Sequence, residues 1–589
     1  MCIRLAKSFL ALFLCAALGG PSWAAAAEIA VDVGAPVKPV DHAASGSLYG
    51  IAAEGWPADA WIAAIKPKNF TEMAPGGAQK PNGEPAPIGD ALIVAPIAAR
   101  HGATVTIRMP DIFPSFPYVW QGEAFWFQSV EAIVRATVAA QAVNIYAYEI
   151  WNEADWNWKP EWGDFDDIWA RTHQAIRAID AARPIMGPSA SRWDEAWMRR
   201  FLERAMASRT LPNIVSWHEL DPSVANDLAL HVAAYRGLEK QLGIGPLPIS
   251  INEYGAPRDA AVPGALTRFV ARLERAGVDT ADLAFWHKPG RLSDLLAPVM
   301  GGRGPARDAE PTGAFWVYKW YGDMTGDMVK VTPAQATGET LDGFASFDPT
   351  GETVRIVVGG EAGDHRVAIT GLRGFGATAE AQVYATHWTG TDGAMAEPVA
   401  LSRLILPIAG GAVTVPIDGA SERDAFLLLV TPAGKAAPWT PTPTHFTVRL
   451  EAEDALRKGA RVFQIRMAAG NFFANTVSGN AYVGLLDRPT VSLAFTAEVP
   501  KPGRYELSFG YSNGLAETAE YLVSVNGGEA VPLRFTPTQF RELIDQAKLQ
   551  VTLPAGASVV ALSAGANAPK GGLPPSLIEI DCLDVTALD

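Results

Sequence analysis

The stretch YEIWNEADWNW, Tyr148 to Trp158, sets an apolar run, an Asn-Glu pair and three tryptophans side by side. It closes a strand-like segment, NIYAYEIW, whose β-branched and aromatic residues run on as in strands covered on both faces. Similar runs lie on either side of it between Ser45 and Trp320: SLYGI, ATVTIRM, PIMGPS, PNIVSW, PLPISIN and ADLAFW, with a weaker one, WIAAIKP, between the first two. Amphipathic stretches separate them. Phe165, Ile168, Trp169, Thr172, Ile176 and Ile179 keep helical spacing, as do Leu266, Phe269, Val270 and Leu273. Gly and Asp punctuate the joins, as in HGATV and RAGVD. Eight strands alternating with helices over roughly 280 residues is the pattern of a (β/α)8 TIM barrel. A doubly wound sheet is the rival, but LYGIAAEG after the first strand is not its Gly-rich phosphate turn.

After Gly326 the texture changes. TVRIVVGG, HRVAIT, AQVYAT, AVTVPI and AFLLLV alternate between Gly and Asp turns and read as an antiparallel β-domain. A Pro/Thr linker follows, and then short strands from Phe446 onward whose spacing fits a β-sandwich. The expected layout is a signal peptide over 1–27, a catalytic barrel over 28–326, a β-domain over 327–431, a linker over 432–445 and a C-terminal β-sandwich over 446–589. Arg4 and Lys7, the apolar SFLALFLCAALGG and the small residues near Ala24 predict cleavage and release to the periplasm or exterior. Only Cys582 would remain, so no internal disulfide is expected. A formal net charge of −15 argues against nucleic acid or an anionic membrane as the main partner. The sequence leaves the oligomeric state open.

Glu153 directly follows the fourth strand and Glu253 follows PLPISIN, the seventh. Strand C-termini of a barrel converge on one rim, so two carboxylates a hundred residues apart can face each other there. Glycosidic cleavage needs such a pair, one group to protonate the departing oxygen and one to attack the anomeric carbon. Aromatic faces stack on the C–H face of a sugar while Asn and His side chains take its hydroxyls.

WNEADW resembles the fourth-strand Asn-Glu motif of clan A glycoside hydrolases, and ISINEYG their seventh-strand nucleophile motif. SLYGIAAEGW and the β-domain resemble families 39, 51 and 79 of that clan, family 39 above all, over about residues 45 to 431. The resemblance implies a retaining glycosidase with Glu153 as acid/base and Glu253 as nucleophile. It implies that Asn152 binds the sugar 2-hydroxyl, that His218 orients the nucleophile or a hydroxyl, and that Trp286 floors the subsite. Arg108 could hold the nucleophile ionised, and Trp156 or Trp158, but not both, should face the cleft. INEYG departs from the Thr-Glu-Phe form usual in family 39. No cofactor is needed for this chemistry. A non-catalytic glycan-binding scaffold and a transglycosylase using the same residues remain the alternatives.

VRLEAEDA, FGYSNG and IEIDCLDV resemble strands of carbohydrate-binding modules of families 6 and 35. That resemblance implies a structural calcium on Glu451, Glu453 and Asp581. All 18 tryptophans lie at or before Trp439, so a sugar platform in this module would fall to Tyr482, Tyr511, Phe535 or Phe540, with Asn513 or Asn567 for polar contacts.

Overall fold

The computed structural model describes residues 26–588 except 81–85, 221–223, 285–291, 294, 299–308, 336–337, 390–393, 443–445, 465–476, 478–480, 487, 489, 539–543 and 565–577. Residues 1–25 of the expected signal peptide therefore lie outside the described residues. Eight parallel strands close into a barrel: β1 (Gly46–Leu48), β2 (Asn69–Met73), β3 (Thr104–Arg108), β4 (Ile145–Glu149), β5 (Ile185–Ala190), β6 (Ile214–Glu219), β7 (Ile249–Tyr254) and β8 (Thr280–Leu283). Closure brings β8 against β1, and Gly46 makes that approach feasible, since a Cβ there would run into the Asp282 carboxyl and the Ala281 carbonyl. The helix Phe165–Ile179 coincides with its apolar periodicity and buries Phe165, Ile168, Trp169, Thr172 and Ile176.

The sequence reading errs at the second strand. WIAAIKP is not a strand: Asp59–Ile65 is a helix whose Ile62 and Ile65, three apart, face the core. The true second strand, NFTEM, is buried throughout but turns polar side chains into the barrel. Asn69 Nδ2 and Thr71 Oγ1 donate to Asp282 Oδ2 at 2.9 and 2.6 Å. A strand whose lumen face is satisfied by hydrogen bonds carries no apolar signature, which is why it escaped notice.

The N-terminal boundary of the barrel also moves. Residues Ala27–Pro39, assigned from sequence partly to a signal peptide and otherwise to the barrel, form a strand inside the nine-stranded sheet of the β-domain. This strand pairs antiparallel with Asp327–Thr332 and parallel with Gly363–Thr370, and its Ile29, Val31 and Val33 alternate into that domain's core. The helix Pro263–Ala276, which follows β7, is clamped against the same sheet. Arg268 donates to the Gly360 carbonyl at 2.5 Å, and Arg275 holds both oxygens of Asp342 at 2.8 and 2.6 Å. The β-domain thus braces the strand-helix unit that carries Glu253.

Residues from Thr447 onward form two facing antiparallel sheets around Leu493, Phe495, Leu507, Phe509, Tyr521 and Leu562. No helix among the described residues is long and apolar enough to cross a membrane.

Candidate active site

The loop after β4 explains its tryptophans. Trp151 is fully buried, with Trp158, Trp126 and Tyr118 at ring distances of 4.9, 5.3 and 5.3 Å. This aromatic cluster is packing, not platform, and of the two candidates Trp158 belongs to it. Asn157 ties the turn together, accepting from Trp151 Nε1 at 3.0 Å and donating to the Asn152 carbonyl at 2.9 Å. Asp155 accepts from the Ser191 N–H and hydroxyl at 2.8 and 2.5 Å. Held between these contacts, Glu153 adopts a left-handed φ of 58° and donates its N–H to the Ser189 carbonyl at 2.8 Å. A non-glycine residue reaches that conformation only where its surroundings enforce it. Trp156 is the exception among the loop tryptophans: it is 52% exposed, and its Nε1 donates to Glu153 Oε2 at 2.6 Å.

Glu253 lies within β7, in register with His218 on β6 across a register shift that breaks strict alternation. The side chains of the consecutive Asn252 and Glu253 both join one buried cluster. Arg108, at the end of β3, donates from Nη1 to Glu253 Oε1 at 2.6 Å. His218 Nδ1 lies 3.0 Å from Glu153 Oε1, and its Nε2 lies 3.7 Å from Glu253 Oε1. Burial lowers the proton affinity of the His218 imidazole, but Glu253 and Glu153 beside it more than reverse this and raise it. One carboxyl oxygen each from Glu153 and Glu253 and one ring nitrogen of His218 lie within 4.8 Å of one another. Among the described residues this is the single group of three such ligand-bearing side chains.

Sequence reasoning missed the layer beneath. Glu149, fully buried, accepts from Arg108 Nε at 2.9 Å and from Asn252 Nδ2 at 2.8 Å. Asn252 also donates to Ser189 Oγ at 3.2 Å. A signal existed: a carboxylate inside an apolar strand of a parallel sheet must be paired. At the rim beyond Arg108, Tyr49 and Tyr118 donate to the two oxygens of Asp111 at 2.7 and 2.9 Å, and burial raises Asp111 to about 7.

The remaining candidates divide. Asn152 is buried beside Glu153, and its Oδ1 has no hydrogen-bond partner among the described residues. Trp286 lies outside the described residues. In the C-terminal sandwich, Tyr482, Tyr511 and Phe535 are at most 3% exposed and form core, not a sugar platform. Asn513 spends its amide on the carbonyls of Glu517 and Phe535, while Phe540 and Asn567 lie outside the described residues. Glu453 keeps a buried Oε2 with no hydrogen-bond partner. Burial, with Glu451 and Asp581 among its charged neighbours, raises Glu453 to about 6.

No family model matches the chain. Among solved structures, that of N2152 from Neocallimastix frontalis shares 32% identity with a TM-score of 0.64, covering 69% of this chain and 100% of that one. A 3-O-beta-L-arabinopyranosyl-alpha-L-arabinofuranosidase of Bifidobacterium pseudocatenulatum is 27% identical over 572 residues, 84% of this chain. The chain belongs to the same family as N2152. Its paired carboxylates stand on the barrel rim formed by the strand C-termini, where barrels of this kind build their active sites. A 3-O-alpha-D-galactosyl-alpha-L-arabinofuranosidase of Bifidobacterium longum subsp. longum is 28% identical over 373 residues, 61% of this chain. The chain spans only 56% and 32% of the lengths of those two relatives.

Proposed function

We propose that this protein is an exported retaining glycosidase that acts on α-L-arabinofuranosyl linkages of an oligo- or polysaccharide. The observation that carries the reading is the approach of Glu153 and Glu253 to within 4.8 Å on one barrel rim. Retaining pairs stand about 5 to 5.5 Å apart, whereas inverting pairs need about 6.5 to 9.5 Å to admit a water. A Glu253 oxygen attacks the anomeric carbon while the Glu153 carboxyl gives its proton to the departing oxygen. Glu153, now a carboxylate, takes a proton from water, whose oxygen displaces Glu253 and restores the original anomeric configuration. Arg108 fixes the attacking carboxylate, and Asn152, whose Oδ1 has no partner among the described residues, takes a sugar hydroxyl. Arabinofuranosides are favoured because both curated relatives bear that activity in their names.

The capping sugars in those two names share a chemistry. β-L-Arabinopyranose and α-D-galactopyranose have the same ring configuration and differ by one hydroxymethyl group. The substrate we favour is therefore an α-L-arabinofuranosyl unit carrying such a pyranose on O3. The test is hydrolysis of the two capped disaccharide glycosides and of the uncapped arabinofuranoside, followed by NMR. Retained α-configuration in the first product supports the reading, and inversion or no cleavage of any of the three overturns it.

The C-terminal sandwich is proposed to hold a structural calcium on Glu451, Glu453 and Asp581. The unpartnered, buried Glu453 Oε2 and its raised proton affinity beside two other carboxylates fit a site that a cation would complete.

A further inference from the structure

The two proposed reacting carboxylates are joined underneath by a chain of buried groups. Glu253 Oε1 accepts from Arg108 Nη1 at 2.6 Å, and Arg108 Nε reaches back to Glu149 Oε2 at 2.9 Å. The other oxygen of Glu149 accepts from Asn252 Nδ2 at 2.8 Å, and Asn252 continues to Ser189 Oγ at 3.2 Å. The Ser189 carbonyl takes the N–H of Glu153 at 2.8 Å, and the Ser189 hydroxyl is fixed by Ser216 Oγ at 2.8 Å. Arg108 is 2% exposed, and Glu149 and Asn252 are fully buried.

From this chain we infer that Glu149 is a positioning residue for the nucleophile: it divides the charge of Arg108 and fixes the angle at which that guanidinium meets Glu253. The statement rests on the glycosidase reading above for what Glu253 does, but not for how Arg108 is shared.

The physical argument is one of charge. A guanidinium with a single buried carboxylate partner would bind that carboxylate too well, stabilising the ionised nucleophile at the expense of its reactivity. Two carboxylates on one guanidinium leave each partly neutralised and hold the plane of the fork. The fork geometry also explains the choice of arginine: Nε and Nη1 point in different directions, one to Glu149 on the neighbouring β4 and one to Glu253 on β7 across the barrel. Facing Glu253 are Arg108 and His218, with Glu153 across the cleft and the Tyr49 hydroxyl nearby, its own proton committed to Asp111. Removing the charge of Glu149 therefore changes one term in a small, closed set.

The experiment is Glu149→Gln in the full chain, an isosteric change that keeps an oxygen for one of the two donors. Side-chain carboxyl carbons of glutamate are labelled with carbon-13, and the Glu253 signal is identified by its loss in Glu253→Gln. In Glu149→Gln the Glu253 signal should titrate at lower pH by about one unit, because Arg108 then serves it alone. On the arabinofuranosyl substrate kcat should fall by about 10²-fold, the scale of a misplaced reacting group, with KM nearly unchanged. Glu149→Asp, which keeps the charge, should leave the titration near that of the wild type. Should Glu149→Gln fail to fold, Asn252→Ala asks the same question by releasing the second oxygen of Glu149, which then draws more on Arg108 and shifts the Glu253 signal by a smaller amount to higher pH. An unmoved Glu253 titration in the folded variant overturns the inference whatever the activity. A moved titration in a protein that cleaves no arabinofuranoside leaves the charge sharing intact and sinks the proposed function instead.

Discussion

The barrel rim and the C-terminal sandwich treat their polar and aromatic groups in opposite ways. At the rim, Arg108 Nη2, Asn152 Oδ1, His218 Nε2 and Asn252 Oδ1 are buried without a hydrogen-bond partner among the described residues, while Trp156 stands half exposed beside Glu153. In the sandwich, the hydroxyls of Tyr505 and Tyr521 end on the carbonyls of Lys501 and Leu486 at 2.7 and 2.6 Å, with their rings in the core. Each unsatisfied buried group costs about 1–3 kcal/mol, so a fold keeps several together only where something else will supply the partner. At the rim a hydroxyl-rich ligand can do so. In the sandwich the same test finds Glu453 Oε2 and Ser508 Oγ among the described residues, and Glu453 is the carboxylate of the proposed calcium site.

The largest test of that contrast is Glu253→Gln. Turnover should fall by about 10⁴-fold or more, as when one member of a catalytic set is lost, while the melting temperature stays close to that of the wild type. A variant retaining near-normal kcat would remove the rim from the chemistry. Arg108→Met should show that the same layer also carries stability. It strands Glu149 and Glu253 without their shared cation and should destabilise the barrel by about 3–5 kcal/mol, read by denaturant unfolding. A barrel as stable as the wild type would mean that the two carboxylates are held by other groups.

The sandwich is probed with a chelator on the full chain. Removing calcium should lower the unfolding midpoint of the C-terminal module, with rates on small arabinofuranosides unchanged. A midpoint indifferent to both chelator and added calcium breaks the metal half of the comparison. The smallest effect belongs to Trp156→Phe, which keeps an aromatic face but removes the Nε1 donor from Glu153 Oε2. A hydrogen bond of this kind is worth about 0.5–1.5 kcal/mol net, so kcat/KM should fall by up to about tenfold. Equal kinetics would reduce Trp156 to a passive rim residue.

Much of the site could be read before the fold. WNEADW and ISINEYG each end an apolar strand, and Arg108 and His218 occupy strand ends of the same kind, so strand order alone puts these side chains on one rim. The structure gathers Arg108, Glu153, His218 and Glu253 into one set of contacts. The second strand was illegible for a local reason: Asn69 and Thr71 satisfy Asp282 inside the barrel, and NFTEM carries no apolar pattern. Ala27–Pro39 misled for a topological one. Its period-two alternation marks a strand, but nothing within it says that its partners lie some 300 residues away, at Asp327–Thr332 and Gly363–Thr370.

By itself, then, the sequence determined the barrel, seven of its eight strands and the place of the two glutamates near strand ends, because periodicity and strand-end position are local properties of the chain. Tertiary structure alone decided which tryptophan meets Glu153 and which ones pack under the loop, since both kinds sit in the same eleven residues. It alone revealed that Glu149 shares the Arg108 guanidinium with Glu253 and that Asn252 holds the other oxygen of Glu149. A charge inside an apolar strand announces that it must be paired. Which group pairs with it depends on strands that only the closed barrel brings together.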